Sequence, residues 1–121
     1  MTKPFALIVE DDMQLSQIFS LALKVNFETE TVLDGELALQ SLAKATPDLI
    51  VLDLNLPCVN GESILDYIRS EARLEATNVI VATADARQAE MVREKADIIL
   101  LKPVNPVQLR ELATRMCTPA G

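Results

Sequence analysis

The sequence predicts an α/β domain, a doubly wound parallel sheet of five strands in the order 2-1-3-4-5. Three observations carry this. Short, β-branched apolar runs recur at Leu7-Ile8-Val9, Leu49-Ile50-Val51-Leu52, Val79-Ile80-Val81-Ala82 and Ile98-Ile99-Leu100-Leu101, and runs of this kind are buried parallel strands. Between them, apolar residues return with a helical period, so strand and helix alternate. Each run also gives way to a polar or charged residue, at Glu10, Asp53, Thr83 and Lys102. In an open α/β sheet the carboxyl ends of the strands line the ligand crevice.

Taken in order, strand one is about Phe5 to Val9, and helix one follows Asp12 with Leu15, Ile18, Phe19, Ala22 and Leu23 on one face. Strand two, about Glu28 to Val32, has the weakest apolar signal. Helix two starts near Asp34-Gly35, buries Ala38, Leu39, Leu42 and Ala43, and stops at Thr46-Pro47, since the residue before a proline leaves the helical region. Strand three ends at Asp53. A loop from Leu56 to Gly61 leads into helix three, with Ile64, Leu65 and Ile68 inward. Strand four ends at Thr83, helix four is read over Arg87 to Lys95, and strand five ends at Leu101. Asn105-Pro106 opens helix five as N-cap and first helical residue, where proline's missing N–H costs nothing. Its buried stripe is Leu109, Leu112, Ala113 and Met116, and the tail from Thr118 to Gly121 is expected to be loose.

Right-handed crossovers in this strand order place helices one and five on one face and helices two, three and four on the other. The switch point then falls between strands one and three, which end at Glu10-Asp11 and at Asp53.

Composition narrows the function classes. The 121 residues make one domain, 1–121, and half of them are hydrophobic, enough for a core. A net charge of −7 opposes direct binding of nucleic acid or of an anionic membrane. No apolar stretch approaches the roughly 18 residues of a membrane span, and because strand one follows Met1-Thr2-Lys3-Pro4 at once, no signal peptide is expected. Cys58 and Cys117 form no spaced framework, so a reducing cytoplasm is the expected setting. The absence of histidine excludes a phosphohistidine donor role and an imidazole general base.

The residues at the strand ends read as a phosphate-and-metal constellation. Mg²⁺ takes hard oxygen ligands and keeps several waters. Asp11 and Asp53 can supply carboxylate oxygens, the backbone carbonyl of Asn55 a third ligand, and Glu10 can hold a metal-bound water. An acidic triplet alone would be a solvated strand end, and Asp12 is better explained as a charge at a helix N-terminus. Asp53 ends an all-apolar run, where a carboxylate costs desolvation unless something offsets it; the chemical use for it is a nucleophile accepting a phosphoryl group. Such transfer needs positioning and charge neutralisation. Lys102 can supply a cation and Thr83 a hydroxyl donor. Judged alone, Lys102 would be a snorkelling surface lysine and Thr83 an ordinary strand residue.

Together, Leu7-Ile8-Val9-Glu10-Asp11-Asp12, Val51-Leu52-Asp53-Leu54-Asn55-Leu56-Pro57, Asn60-Gly61, Thr83-Ala84 and Lys102-Pro103 resemble the receiver domain of two-component response regulators, from about residue 4 to residue 117. The resemblance implies a flavodoxin-like (βα)5 fold and a signalling switch, not an enzyme acting on an outside substrate. It implies that Asp53 is the phosphoacceptor for a histidine kinase or histidine phosphotransfer protein. Glu10 and Asp11 match the acidic metal pocket for Mg²⁺, Asn55 the carbonyl ligand, Thr83 the switch hydroxyl and Lys102 the conserved-type lysine. It also implies a cis peptide before Pro103 and a mobile loop at Pro57 to Gly61. Asp85 falls where side chains tune hydrolysis in this family.

There are departures. The family usually carries an aromatic residue three positions before the lysine; here it is Ile99. The stretch from Thr83 to Lys102 is about three residues short, and Lys95 stands where glycine is usual. All fall on the helix four, strand five, helix five face, which the family uses for dimers or partners. Activation here is expected to use displacement of the loop and helix four without an aromatic gate. Two alternatives stay open: a phosphorylation-independent interaction module of the same fold, and an enzyme of another class. Against the second, an aspartate-nucleophile phosphatase usually has a second aspartate where Asn55 stands. A flavin carrier needs a phosphate-cradling loop where Glu10-Asp11-Asp12 would repel phosphate.

Overall fold

The computed structural model of the chain describes residues 3–117, so the tail from Thr118 to Gly121 lies outside the described residues. Five strands alternate with five helices: β1 (Phe5–Val9), α1 (Met13–Leu23), β2 (Glu28–Val32), α2 (Gly35–Lys44), β3 (Leu49–Asp53), α3 (Gly61–Ser70), β4 (Asn78–Thr83), α4 (Ala86–Met91), β5 (Ile98–Leu101) and α5 (Pro106–Cys117). A single 3-10 turn, Ala72–Leu74, joins α3 to β4. All strand pairs are parallel and the order is β2-β1-β3-β4-β5, as the alternation predicts.

Alternation along the strands divides the core into two layers. Leu7, Val9, Ile50, Leu52, Val79 and Val81 face Ala38 and Leu42 of α2, Ile64, Leu65 and Ile68 of α3, and Val92 just after α4. Ala6, Ile8, Leu49, Val51 and Ile80 face Phe19 and Leu23 of α1, and Leu109 and Ala113 of α5. Helices one and five therefore share one face, and two, three and four the other. Burying each Leu, Ile or Phe removes apolar area worth about 1.5–3 kcal/mol.

Side-chain caps fix the helix starts. Asp12 accepts from Leu15 N at 3.1 Å, Asp34 from Leu37 N at 2.8 Å and Asn60 from Ser63 N at 2.9 Å. Asn105 accepts from Val107 N at 2.9 Å and Gln108 N at 3.2 Å, the cap read from Asn105-Pro106. Gly61 opens α3 directly over the end of β3, with its N–H on Leu54 O at 3.0 Å. A Cβ there would collide with Asp53 O and Leu54 Cα.

Three expectations need correction. Ile18 is 42% exposed, because the buried stripe of α1 is centred on Ser16, Phe19 and Leu23; the Ser16 hydroxyl is satisfied by Met13 O at 3.2 Å. Ala43 is exposed, one step beyond Leu42 on the solvent side of α2. Helix four ends at Met91, and residues 92–95 are a turn, because Val92 leaves helical geometry at φ −107°, ψ 8° as its side chain enters the core.

Candidate functional site

The strand register gathers the strand-end residues. Val9 pairs with Leu52, Asp53 with Ala82 and Thr83 with Leu101. Glu10, Asp53, Thr83 and Lys102 therefore emerge side by side along one edge of the sheet, at its switch point. The Lys102 N–H donates to Thr83 O at 2.8 Å, and the Lys102–Pro103 peptide is cis.

Glu10, Asp11 and Asp53 each offer a carboxylate oxygen within 4.8 Å of the others. Glu10 is 1% exposed and Asp53 4%, while Asp11 is open to solvent. Glu10 thus lies deepest of the three. Lys102 Nζ stands 2.7 Å from Glu10 Oε1 and 3.6 Å from Asp53 Oδ1. That contact with Glu10 is an ion pair, and the buried Oε1 has no other partner among the described residues. Glu10 Oε2 accepts from Asp12 N at 3.3 Å, and Asp53 Oδ1 accepts from Asn55 N at 3.2 Å.

The charges perturb one another. Burial pushes the Glu10 carboxyl from 4.5 up to about 7; the Lys102 ammonium pulls it back, and the Asp53 charge adds to the rise. Burial works against the Lys102 cation, but Glu10, Asp53 and Asp11 together outweigh it and hold Lys102 above its ordinary value. Three carboxylates against one ammonium leave an excess of negative charge, an oxygen donor set suited to a small, hard divalent cation.

Thr83 is fully buried, yet its hydroxyl is turned toward α4. It accepts from Asp85 N at 3.1 Å and donates to Gln88 Oε1 at 3.5 Å. Gln88 Nε2 donates to Asn55 Oδ1 at 3.1 Å. The structure thus brings Glu10, Asp11, Asp53 and Lys102 into one cluster and leaves the Thr83 hydroxyl and Asn55 side chain tied to α4. Gln88 was invisible in the sequence, where a polar helical residue reads as solvated. Asp85 serves as the N-cap of α4, accepting from Arg87 N at 2.8 Å.

The pattern of the "Response regulator receiver domain" matches residues 6–114. The chain belongs to this family. Receiver domains are signalling modules of two-component systems, and this one is similar to several characterised regulators. It is 33% identical over 110 residues to "Phosphate regulon transcriptional regulatory protein PhoB" of Rhizobium meliloti, covering 88% of this chain and 48% of that protein. It is 30% identical over 107 residues to "DNA-binding response regulator MtrA" of Mycobacterium tuberculosis, covering 85% of this chain and 46% of that protein. The chain therefore spans about half the length of the relatives it matches. Among solved structures, the "Chemotaxis response regulator CheY4 of Vibrio cholerae" superposes with a TM-score of 0.86 at 28% identity, covering 95% of this receiver domain and 99% of that chain. Among the described residues, no helix is long and apolar enough to cross a membrane.

Proposed function

We propose that this receiver domain, a single domain over 1–121, is a phosphorylation switch in which Asp53 accepts a phosphoryl group. The donor is the phosphohistidine of a histidine kinase or histidine phosphotransfer protein. An Asp53 carboxylate oxygen attacks phosphorus, the phosphorus–nitrogen bond to the donor imidazole breaks, and the imidazole leaves with its electron pair. The product is an acyl phosphate on Asp53. The observation that carries this reading is Lys102 Nζ placed between Glu10 and Asp53 at the switch point, with Asp11 beside them.

Glu10, Asp11, Asp53 and the Asn55 backbone carbonyl would hold Mg²⁺. The ion would supply charge neutralisation for the phosphoryl oxygens. Lys102 does the same from the protein side, and Thr83 would donate its hydroxyl proton to one of those oxygens. The cytoplasm is the setting for such a relay. The acidic charge of the chain keeps nucleic acid contact, where there is any, to an attached domain.

A homodimer through the α4–β5–α5 face is part of this reading. Met91, Leu101 and Val107 are 69%, 53% and 50% exposed there, an apolar surface of the kind interfaces use. A second reading, an interaction module indifferent to phosphorylation, is favoured by Ile99 and the short α4.

Intact mass after incubation with acetyl phosphate, with and without Mg²⁺, tests the proposal. The expected result is a Mg²⁺-dependent phosphoryl adduct on the wild type that is absent from Asp53→Asn. No adduct under any condition would favour the second reading.

A further inference from the structure

None of the six residues of α4 is buried. Three things hold it: the Asp85 cap at its start, Val92 entering the core after its end, and Gln88 reaching back over the site. The Gln88 carboxamide grips two different segments. Its Nε2 donates to Asn55 Oδ1 at 3.1 Å, and its Oε1 accepts from Thr83 Oγ1 at 3.5 Å. Asn55 passes its own N–H to Asp53 Oδ1 at 3.2 Å. One side chain thus closes a chain of hydrogen bonds from the Asp53 carboxylate, through the loop after β3 and across α4, to the hydroxyl ending β4.

A threonine hydroxyl has one proton to give. Here the Thr83 oxygen accepts from Asp85 N, and its proton goes to Gln88. Donation to a phosphoryl oxygen on Asp53 requires that same proton, so the two states exclude each other. The contest is unequal. The bond to Gln88 is at the long limit for a hydrogen bond, whereas a bond to an anionic oxygen is about twice as strong as a neutral one.

We propose that Gln88 is the positioning residue that couples Asp53 to α4. Before phosphorylation it clasps Thr83 to Asn55 and holds α4 against the site. A phosphoryl group withdraws the Thr83 proton, opens the Thr83 side of the clasp and leaves α4 held there only through Asn55. This deepens the phosphorylation reading above and rests on it. It also accounts for a switch without an aromatic gate: the aromatic residues Phe5, Phe19, Phe27 and Tyr67 all lie before β4, far along the chain from α4 and β5.

The test is Gln88→Met, which keeps side-chain length and helix propensity and removes both hydrogen bonds. Amide hydrogen exchange of residues 86–91 is followed by NMR, with and without excess acetyl phosphate and Mg²⁺. In the unphosphorylated state the variant should exchange about five- to thirtyfold faster than wild type, the effect of one to two net hydrogen bonds. On phosphorylation the wild type should rise toward it and the difference should shrink, since the Thr83 bond is lost while the Asn55 bond remains. A merely structural role would leave the same difference in both states, and that outcome overturns the proposal, as does equal exchange in the unphosphorylated state. Gln88→Ala gives the same readout should the methionine pack poorly. Wild type that takes no phosphoryl group refutes the phosphorylation reading itself and the switch with it. That failure is seen before any variant is compared.

Discussion

The Lys102 ammonium sits closer to Glu10, at 2.7 Å, than to Asp53, at 3.6 Å. The lysine therefore neutralises the deepest carboxylate of the cluster while keeping Asp53 within reach. Replacing it should harm both. Lys102→Met leaves two buried carboxylates facing each other and removes the protein's own cation from the transferring phosphoryl group. Removal of one preorganised electrostatic group costs about a hundredfold or more in rate. Phosphorylation by acetyl phosphate at saturating Mg²⁺, followed by intact mass against time, should slow by about that factor. A rate within threefold of wild type would place the charge neutralisation elsewhere.

Glu10 gives the metal-free protein a defined pH dependence. Its folded value, about 7, lies above its ordinary 4.5, so between these pH values the folded state binds more protons than the unfolded chain. Stability then falls as pH rises through that window and levels off above it. The loss across the whole window is about 3–4 kcal/mol, because each pH unit between the two values is worth about 1.4 kcal/mol. Lys102 is held above 10.5 and adds no slope there. Urea midpoints in EDTA from pH 5 to 8 should decline for wild type and stay flatter for Glu10→Gln. A midpoint that rises with pH would reverse the assignment.

The close approach of α3 to the end of β3 depends on Gly61. A methyl group there meets Asp53 O and Leu54 Cα, which are backbone and cannot turn aside. Gly61→Ala should cost about 1–3 kcal/mol, the range for forced overpacking, and should displace the segment that carries Asp53 and Asn55. Thermal denaturation together with the acetyl phosphate assay would show both losses. An unchanged melting temperature would mean that α3 slides without strain.

The legible parts of this molecule are those set by local burial. β1, β3 and β4 are apolar because helices cover both of their faces, so their ends at Glu10, Asp53 and Thr83 could be read directly. Asp12 and Asn105 were legible as caps because capping is local. Ala43 and Ile18 were misplaced because an apolar side chain is tolerated on either face of a helix, and spacing alone does not choose between neighbouring stripes. Sequence reading overruns helix four because no Gly or Pro stands between Arg87 and Lys95; the chain leaves helical geometry at Val92, whose side chain is buried, a tertiary event. The depth of Glu10 relative to Asp11, and the bridge from Gln88 to Thr83 and Asn55, arise from strand register and helix placement. Neither has a signature in spacing.

The apolar surface on the α4–β5–α5 face yields the remaining prediction. β5 is an edge strand, Leu101 at its end is 53% exposed, and Met91 and Val107 are exposed large apolar residues of α4 and α5. If this face joins two copies, a charge at its centre should prevent association without touching the carboxylate cluster, because the Leu101 side chain is open to solvent. Leu101→Glu would place two like charges close together across a two-fold interface, where residues near the axis meet their own copies. Light scattering behind size exclusion, under acetyl phosphate and Mg²⁺, should report a dimer for wild type and a monomer for the variant. Both should carry the same phosphoryl adduct by mass. Wild type that stays monomeric when phosphorylated would show that this face is not a homodimer interface.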